Sequence, residues 1–241
     1  MKLALAQTKP ITGNISANII AHEQFILNAV TLGADAIFFS ELSLTGYEPA
    51  LAGALALSPT DARLTGFKAL SERHEITIAV GAPLKTQAGT IISLLIFQPG
   101  QSVLIYGKQY LHPDEEPWFV PGNNLAPISI NDCRVGLAIC YELSVEEHFN
   151  NMKSTKPDVY IASVAKFSKG IEPSYNRLAS IASTGVHALF VNAVGTADNG
   201  ICAGGSAVWN KKGELLAKLD DVHEGLLIFN SDTEEVLSHK L

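Results

Sequence analysis

The sequence predicts an α/β fold in which mixed β-sheets are covered by helices. Short apolar runs alternate with segments of helical periodicity, a pattern typical of sheets buried under helices. Several strands also follow one another without a helix between them, which indicates mixed rather than purely parallel sheets. The chain has 241 residues, of which 47% are hydrophobic. That is enough for a substantial core in one large domain or at most two, and we expect a single domain over residues 1–241.

The first half of the chain is predicted to begin with a strand at residues 3–6. A helix follows at residues 16–32, where Ile19, Ile26 and Val30 recur at helical spacing and Gly33 provides a stop. A second strand is expected at residues 36–39 and a second helix at residues 62–73. Three strands then follow in close succession at residues 76–80, 91–97 and 103–106, separated by turn-forming segments.

The second half is predicted to resume with a strand at residues 135–139 and a helix from Val145. A strand at 159–164, a helix at 175–187 and a strand at 188–193 come next. The C-terminal part is interpreted as a β-meander with strands at 206–209, 214–218 and 225–229, the first two joined by a turn at Lys212-Gly213.

Charge and hydropathy exclude some classes of function. The net charge of -7 argues against non-specific binding to nucleic acid, which requires a basic surface. The apolar runs are far shorter than the roughly 20 residues of a membrane-spanning helix. The N-terminal residues MKLALAQTKP lack the pattern of a signal peptide, so we expect a cytoplasmic protein that uses neither a membrane nor nucleic acid.

The cysteines and histidines indicate neither a disulfide framework nor a metal site. The three cysteines, Cys133, Cys140 and Cys202, show no CxxC spacing. The seven histidines are not paired at helical ligand spacing. We therefore predict no metal and no cofactor, and the default interpretation of each thiol is a buried, inert side chain.

Three reactive side chains occupy an unusual common position. Glu41 follows the apolar run AIFFS, Lys108 follows VLIYG, and Cys140 ends the run RVGLAIC. Strand ends are where sheet-based folds usually build their sites. A thiol nucleophile, a carboxylate base and an ammonium group that stabilises an oxyanion are together the parts required for acyl transfer.

The segments around these residues resemble the nitrilase superfamily of carbon–nitrogen hydrolases. FFSELSLTGY resembles its Glu block, YGKQYLHPDEEPWFVPG its Lys block and RVGLAICYEL its Cys block. The three blocks occur in the family's order, and the resemblance covers nearly the whole chain. It implies a four-layer α-β-β-α sandwich with two mixed sheets, and a homodimer.

The resemblance also implies a role for each residue. Cys140 would attack the amide carbon and form a thioester, and Glu41 would be the general base. Lys108 would hold the oxyanion together with the backbone N–H of Tyr141. An accessory carboxylate is expected in the Lys block, for which Glu115 is favoured and Glu116 is the rival.

The substrate is the least defined part of the prediction. The Tyr-acid pair after Cys140 is more typical of amidases than of nitrilases, and a small linear amide is expected. Lys166 would meet a carboxylate at the far end of such an amide, as in ω-amidase-like relatives. The predicted substrate-binding residues are Tyr47, Tyr141, Ser163, Lys166 and Phe167.

Other functions stay open at this point. A carbamoyl compound or a nitrile is an alternative substrate for the same residues. An amide or acyl transferase would use an acceptor other than water. A non-catalytic ligand-binding member of the fold is a further alternative, although such a protein would not need to keep Glu41, Lys108 and Cys140 together.

Overall fold

The computed structural model describes residues 1–123 and 126–241, which form two large β-sheets and the helices that cover them. The first sheet has seven strands in the order β15-β14-β1-β2-β3-β4-β5. β1, β2 and β3 are parallel, whereas β14, β15 and β4 run antiparallel to their neighbours. Its strands are β1 (Lys2–Gln7), β2 (Ala36–Phe39), β3 (Thr77–Lys85), β4 (Thr90–Phe97), β5 (Leu104–Gly107), β14 (Gly225–Asn230) and β15 (Val236–Lys240).

The second sheet has six strands in the order β13-β12-β9-β8-β7-β6, with a parallel centre formed by β7, β8 and β9. A separate antiparallel hairpin, β10-β11, lies between β9 and β12 in the chain. The strands are β6 (Ile128–Ile130), β7 (Cys133–Ile139), β8 (Val159–Ser163), β9 (His187–Val191), β10 (Val194–Ala197), β11 (Gly200–Ala203), β12 (Ala207–Trp209) and β13 (Leu215–Lys218).

Five α-helices occur in the described residues. They are α1 (Ile15–Thr31), α2 (Ala52–Leu55), α3 (Thr65–His74), α4 (Glu146–Ser154) and α5 (Ser168–Ala182). Within the described ranges, no helix combines the length and the apolar character needed to cross a bilayer.

The alternation of side chains along each strand determines which layer of the structure they pack against. In β1, Leu3 and Leu5 face a core shared with the six-stranded sheet, whereas Ala4 and Ala6 face α1 and α3. Successive side chains of a strand point to opposite faces, so both faces of β1 are buried. The six-stranded sheet is covered on its other side by α4 and α5, which contribute Phe149, Met152, Leu178 and Ile181 to the core. The predicted α-β-β-α sandwich with two mixed sheets is therefore confirmed.

The predicted helix at residues 175–187 was misplaced. The helix that forms, α5, begins at Ser168 and ends at Ala182. Pro173 lies inside it, and a proline there lacks an N–H donor, which made the preceding turns look non-helical in the sequence. The helix stops early because Gly185 adopts a left-handed φ of 98°, and His187 already belongs to β9.

The predicted C-terminal β-meander was wrong in its last strand. β12 and β13 form the expected hairpin, but β14 crosses to the other sheet and pairs antiparallel with β1. Leu226, Leu227, Ile228 and Phe229 are all buried, which requires a central strand covered on both faces. The sequence analysis also missed β6, β10, β11 and β15.

Candidate active site

The three predicted reactive residues meet where strand ends of the two sheets face each other. Glu41 follows the carboxyl end of β2, and Lys108 follows the carboxyl end of β5. β5 is antiparallel to β4, which is antiparallel to β3, so β5 and β2 end at the same edge of the sheet. Cys140 follows the carboxyl end of β7 in the six-stranded sheet. This placement agrees with the general location of sites in α/β folds.

Glu41 lies on a tight loop that packs against the backbone of β3. A Cβ atom on Gly81 would lie 2.3 Å from the Ser40 carbonyl oxygen, so this close approach requires glycine. Leu42 adopts a left-handed φ of 51° directly after Glu41. Ser43 holds the loop against β3 and α1. Its hydroxyl oxygen accepts a hydrogen bond from the Gly81 N–H at 3.1 Å and lies 2.9 Å from His22 Nε2.

Lys108 is placed by a close crossing of two backbones. A Cβ on Gly107 would lie 2.9 Å from the Cα of Gly122, and a Cβ on Gly122 would lie 2.6 Å from the Cα of Gly107. The Gly122 N–H donates to the Lys108 carbonyl at 2.7 Å. The Pro-Gly pair that closes the Lys block thus holds the backbone of Lys108 in place.

Cys140 occupies a sharp bend between β7 and a 3₁₀ helix, Cys140–Ser144. Its φ of 45° is left-handed, which is uncommon for a residue with a side chain and recurs at functional sites. The residue keeps 9% of its surface exposed and lines a cavity. The bend turns the thiol out of the sheet toward this cavity.

Two buried carboxylates flank the Lys108 ammonium. Lys108 Nζ donates to Glu41 Oε1 at 2.7 Å and to Glu115 Oε1 at 2.7 Å. Lys108, Glu41 and Glu115 are at most 2% exposed. The other oxygen of Glu41, Oε2, is buried and has no hydrogen-bond partner among the described residues.

Glu115, and not its neighbour Glu116, lies against Lys108. Its Oε1 also accepts from the Tyr47 hydroxyl at 2.9 Å, and its Oε2 accepts from the backbone N–H of His112 at 2.8 Å. Glu116 is exposed. Glu115 therefore connects Lys108 with Tyr47 in the wall of the cavity.

Electrostatics favour a protonated Cys140 thiol and a charged Lys108 ammonium. Burial raises the pKa of Cys140 to about 12, and the Glu41 carboxylate acts in the same direction. Lys166 and Lys108 oppose this by favouring the thiolate. Burial also raises the pKa of Glu41, and the positive charge of Lys108 opposes this increase. Burial disfavours the charge on Lys108, but the nearby carboxylates outweigh it and raise the pKa of that ammonium.

A cavity of about 410 Å³ opens over Cys140. Four predicted substrate-binding residues line it: Tyr47, Tyr141, Lys166 and Phe167. Trp118 is 48% exposed and also lines the cavity. This volume falls within the usual range of small-ligand sites.

Ser163 does not reach this cavity, contrary to the sequence-based prediction. It ends β8, is fully buried and has no hydrogen-bond partner for its hydroxyl among the described residues. It pairs with Ile139, the residue before Cys140, inside the six-stranded sheet. The other two cysteines also differ from Cys140. Cys133 begins β7 at the opposite end of that strand, and Cys202 is buried in a small cluster with Ala165, Ala193 and Ala197.

Sequence reasoning missed two buried polar residues that support the site. Asn192 holds the backbone of Lys166, since its side chain accepts from the Lys166 N–H at 2.9 Å and donates to the Lys166 carbonyl at 3.0 Å. Glu142 is fully buried and binds backbone groups on both sides of the site. The available signal for Asn192 was a polar residue directly after an apolar strand, β9, whereas Glu142 lies in the turn after Cys140 and gives no such signal.

Comparison with known proteins places this geometry in a family. A solved structure of the amidase from Nesterenkonia sp. AN1 superposes with a TM-score of 0.86 at 22% sequence identity, over 95% of this chain and 92% of that one. It carries acrylamide added at its active-site cysteine. This likeness establishes the fold.

Curated relatives match over most of this chain. Omega-amidase YafV of Escherichia coli K12 is 24% identical over 91% of this chain and 85% of its own length. The glutamine-dependent NAD(+) synthetase of Acinetobacter baylyi is 27% identical over 97% of this chain, which spans only 44% of that relative. The carbon–nitrogen hydrolase family model matches residues 2–239. The chain therefore belongs to the carbon–nitrogen hydrolase family.

Proposed function

We propose that the protein hydrolyses the C–N bond of a small linear amide through a thioester on Cys140 and releases ammonia. One observation carries this proposal. Glu41, whose charge acts on the Cys140 thiol, has one carboxylate oxygen fixed by Lys108 and a second, buried oxygen without a hydrogen-bond partner among the described residues. A buried carboxylate oxygen without a hydrogen bond is costly, and it is the acceptor that a general base requires.

The first half of the reaction forms the thioester. The Cys140 sulfur attacks the amide carbon while its proton moves to Glu41. The carbonyl oxygen becomes an oxyanion that Lys108 Nζ and the backbone N–H of Tyr141 stabilise. The intermediate collapses, the C–N bond breaks, and Glu41 returns the proton to the leaving nitrogen, so that ammonia departs.

The second half regenerates the enzyme. Glu41 takes a proton from a water molecule, which attacks the thioester carbon. The C–S bond breaks, the thiol recovers the proton from Glu41, and a carboxylic acid is released. Glu115 keeps Lys108 in place during both halves, because it holds the ammonium at 2.7 Å.

We further propose that the substrate carries a carboxylate at the end remote from its amide. Lys166 lines the cavity with Cys140 and forms no ion pair within the described ranges. Lys169 lies at the same cavity. Ammonium groups in a partly dry pocket favour an anion. Two relatives have names that fit this substrate class, an omega-amidase and a glutamine-dependent synthetase.

A substrate panel with ammonia detection tests the function. It compares carboxylate-bearing amides, uncharged aliphatic amides, carbamoyl compounds and nitriles. We expect turnover of the first class to exceed the others and to vanish in Cys140→Ala. A folded Cys140→Ala variant with full turnover would refute the mechanism. Product analysis with hydroxylamine present separates a hydrolase from a transferase, because a transferase would give mainly the hydroxamate.

The homodimer and the cytoplasmic location remain predictions. Light scattering of the purified protein measures the oligomeric state directly. A mass equal to that of one chain at micromolar concentration would contradict the dimer.

A further inference from the structure

Glu142 is a buried carboxylate that does not line the substrate cavity. Its Oε1 accepts from the backbone N–H of Gln109 at 2.6 Å. Its Oε2 accepts from the backbone N–H of Ile139 at 2.8 Å and from the Tyr106 hydroxyl at 2.6 Å. The side chain is fully buried. Both oxygens are therefore occupied by groups that donate to them.

The two backbone donors belong to the chain segments that carry the site. Gln109 directly follows Lys108, and Ile139 directly precedes Cys140. Lys108 follows β5 of the seven-stranded sheet, whereas Cys140 follows β7 of the six-stranded sheet. One carboxylate thus joins the ends of two strands from different sheets, within one residue of the ammonium on one side and of the thiol on the other.

Tyr106 and His148 form a chain of hydrogen bonds that ends on this carboxylate. The Tyr106 hydroxyl donates its proton to Glu142, so its oxygen is left to accept from His148 Nε2, which lies 2.8 Å away. Burial lowers the pKa of His148 to about 4, so the ring is neutral at pH 7 and carries a single N–H. The chain of hydrogen bonds therefore runs in one direction, from His148 through Tyr106 to Glu142.

We propose that Glu142 is a positioning residue that fixes the separation between the Cys140 thiol and the Lys108 ammonium, with Tyr106 and His148 orienting its carboxylate. The inference rests on the proposed function of Cys140 and Lys108. A carboxylate is required, because an amide of the same shape offers one acceptor oxygen and one donor NH₂. With Gln at this position, one of the two backbone N–H groups would face another donor.

The test compares Glu142→Gln with Tyr106→Phe. Glu142→Gln is expected to lower kcat by about 100-fold with little change in KM, since a displacement of about 1 Å costs that much in an active site. Tyr106→Phe keeps both backbone hydrogen bonds and should lose about tenfold or less. Glu142→Asp retains two acceptor oxygens on a shorter stem and should recover part of the lost rate.

A stability control separates positioning from folding. Phe67→Leu truncates a buried side chain of α3 on the outer face of the seven-stranded sheet and should lower the Tm without changing kcat. A Glu142→Gln enzyme with wild-type kcat would overturn the proposal. The proposal would also be overturned if Glu142→Gln and Phe67→Leu lower the Tm equally and Glu142→Gln loses no more kcat than Phe67→Leu does. If Glu142→Gln does not fold, Glu142→Asp is judged by the same two criteria.

The alkylation rate of Cys140 by iodoacetamide, followed by mass spectrometry, provides a readout that needs no substrate. Glu142→Gln should slow it at pH 7, because the thiolate loses its aligned cation. An unchanged alkylation rate would contradict the positioning role even if no substrate is found. Conversely, an inactive wild-type enzyme whose Cys140 alkylation still depends on Glu142 would contradict the proposed amidase function alone.

Discussion

Lys108 and Glu41 form an ion pair of 2.7 Å although both side chains are entirely buried. Glu115 forms a second pair with the same ammonium at 2.7 Å. Two negative groups therefore share one positive group inside the protein. Taking charges out of water is costly, and an arrangement of this kind is more readily explained by chemistry than by stability.

Removing the shared ammonium should destabilise the fold. Lys108→Met leaves two buried carboxylates without a cation, and breaking such a pair costs about 3–5 kcal/mol. Urea unfolding followed by circular dichroism measures the change. Lys68→Met is the matched control, because Lys68 pairs with Glu72 on the surface and such pairs contribute about 0–1 kcal/mol. Equal stability of Lys108→Met and wild type would show that this cluster has no electrostatic role in the fold.

A methyl group on Gly81 should displace the loop backbone that carries Glu41. The added Cβ would lie 2.3 Å from the Ser40 carbonyl oxygen and 2.5 Å from the Leu42 nitrogen, so the loop must shift. We expect a loss of about 1–3 kcal/mol in stability and of about 100-fold in kcat. Gly53→Ala serves as the control, since no atom lies within 4 Å of a Cβ there. Full activity of Gly81→Ala would contradict the tight packing of this loop.

Lys166 should determine the preference for anionic substrates. Lys166→Met is expected to raise KM about 10- to 100-fold for amides that carry a carboxylate, as a lost charged hydrogen bond of about 1.5–3 kcal/mol implies. Uncharged amides should be little affected. Lys85→Met, at an exposed position that does not line the cavity, controls for a general change in charge. An equal loss on charged and uncharged amides would remove Lys166 from substrate recognition.

His22 should make the fold sensitive to acid. Burial lowers the pKa of His22 to about 3, whereas an unfolded histidine titrates near 6.5. Below about pH 6.5 the unfolded chain binds a proton that the folded chain excludes, so stability falls as the pH decreases. The contribution is at most about 1.4 kcal/mol per pH unit. His22→Asn should show a shallower dependence of the unfolding free energy on pH than wild type.

The positions of Glu41, Lys108 and Cys140 could be proposed from sequence because each lies close to the end of an apolar strand and because the segments around them resemble the three blocks of the family. Strand ends are visible in sequence through the periodicity of the preceding residues. The role of Glu142 could not be predicted in this way. An acidic residue in a turn is ordinarily solvated, and only the arrangement in space shows that two N–H donors and a tyrosine surround it.

The pairing of the C-terminal strands could not be predicted from the local sequence pattern either. The segment that forms β14 reads as the third strand of a meander, because turn signals precede it. Its partner is β1, more than 200 residues away in the chain. Pairing at that separation depends on which surface of the sandwich remains uncovered, and no local signal records it. The same limit applies to Ser163, whose strand-end position predicted a place in the cavity although its side chain is fully buried and does not line it.

In the proposed mechanism, Glu41 is the base that activates Cys140. The pH dependence of Cys140 alkylation by iodoacetamide tests it most directly, in wild type and in Glu41→Gln. Burial, the largest cause of the raised pKa of this thiol, persists in the variant. The variant rate should therefore rise about tenfold per pH unit across the neutral to alkaline range, as for an unassisted thiol. The wild-type rate should be nearly flat there and about 100-fold or more faster at pH 7, because Glu41 accepts the proton. Parallel profiles of equal magnitude would contradict the assignment of Glu41 as the base.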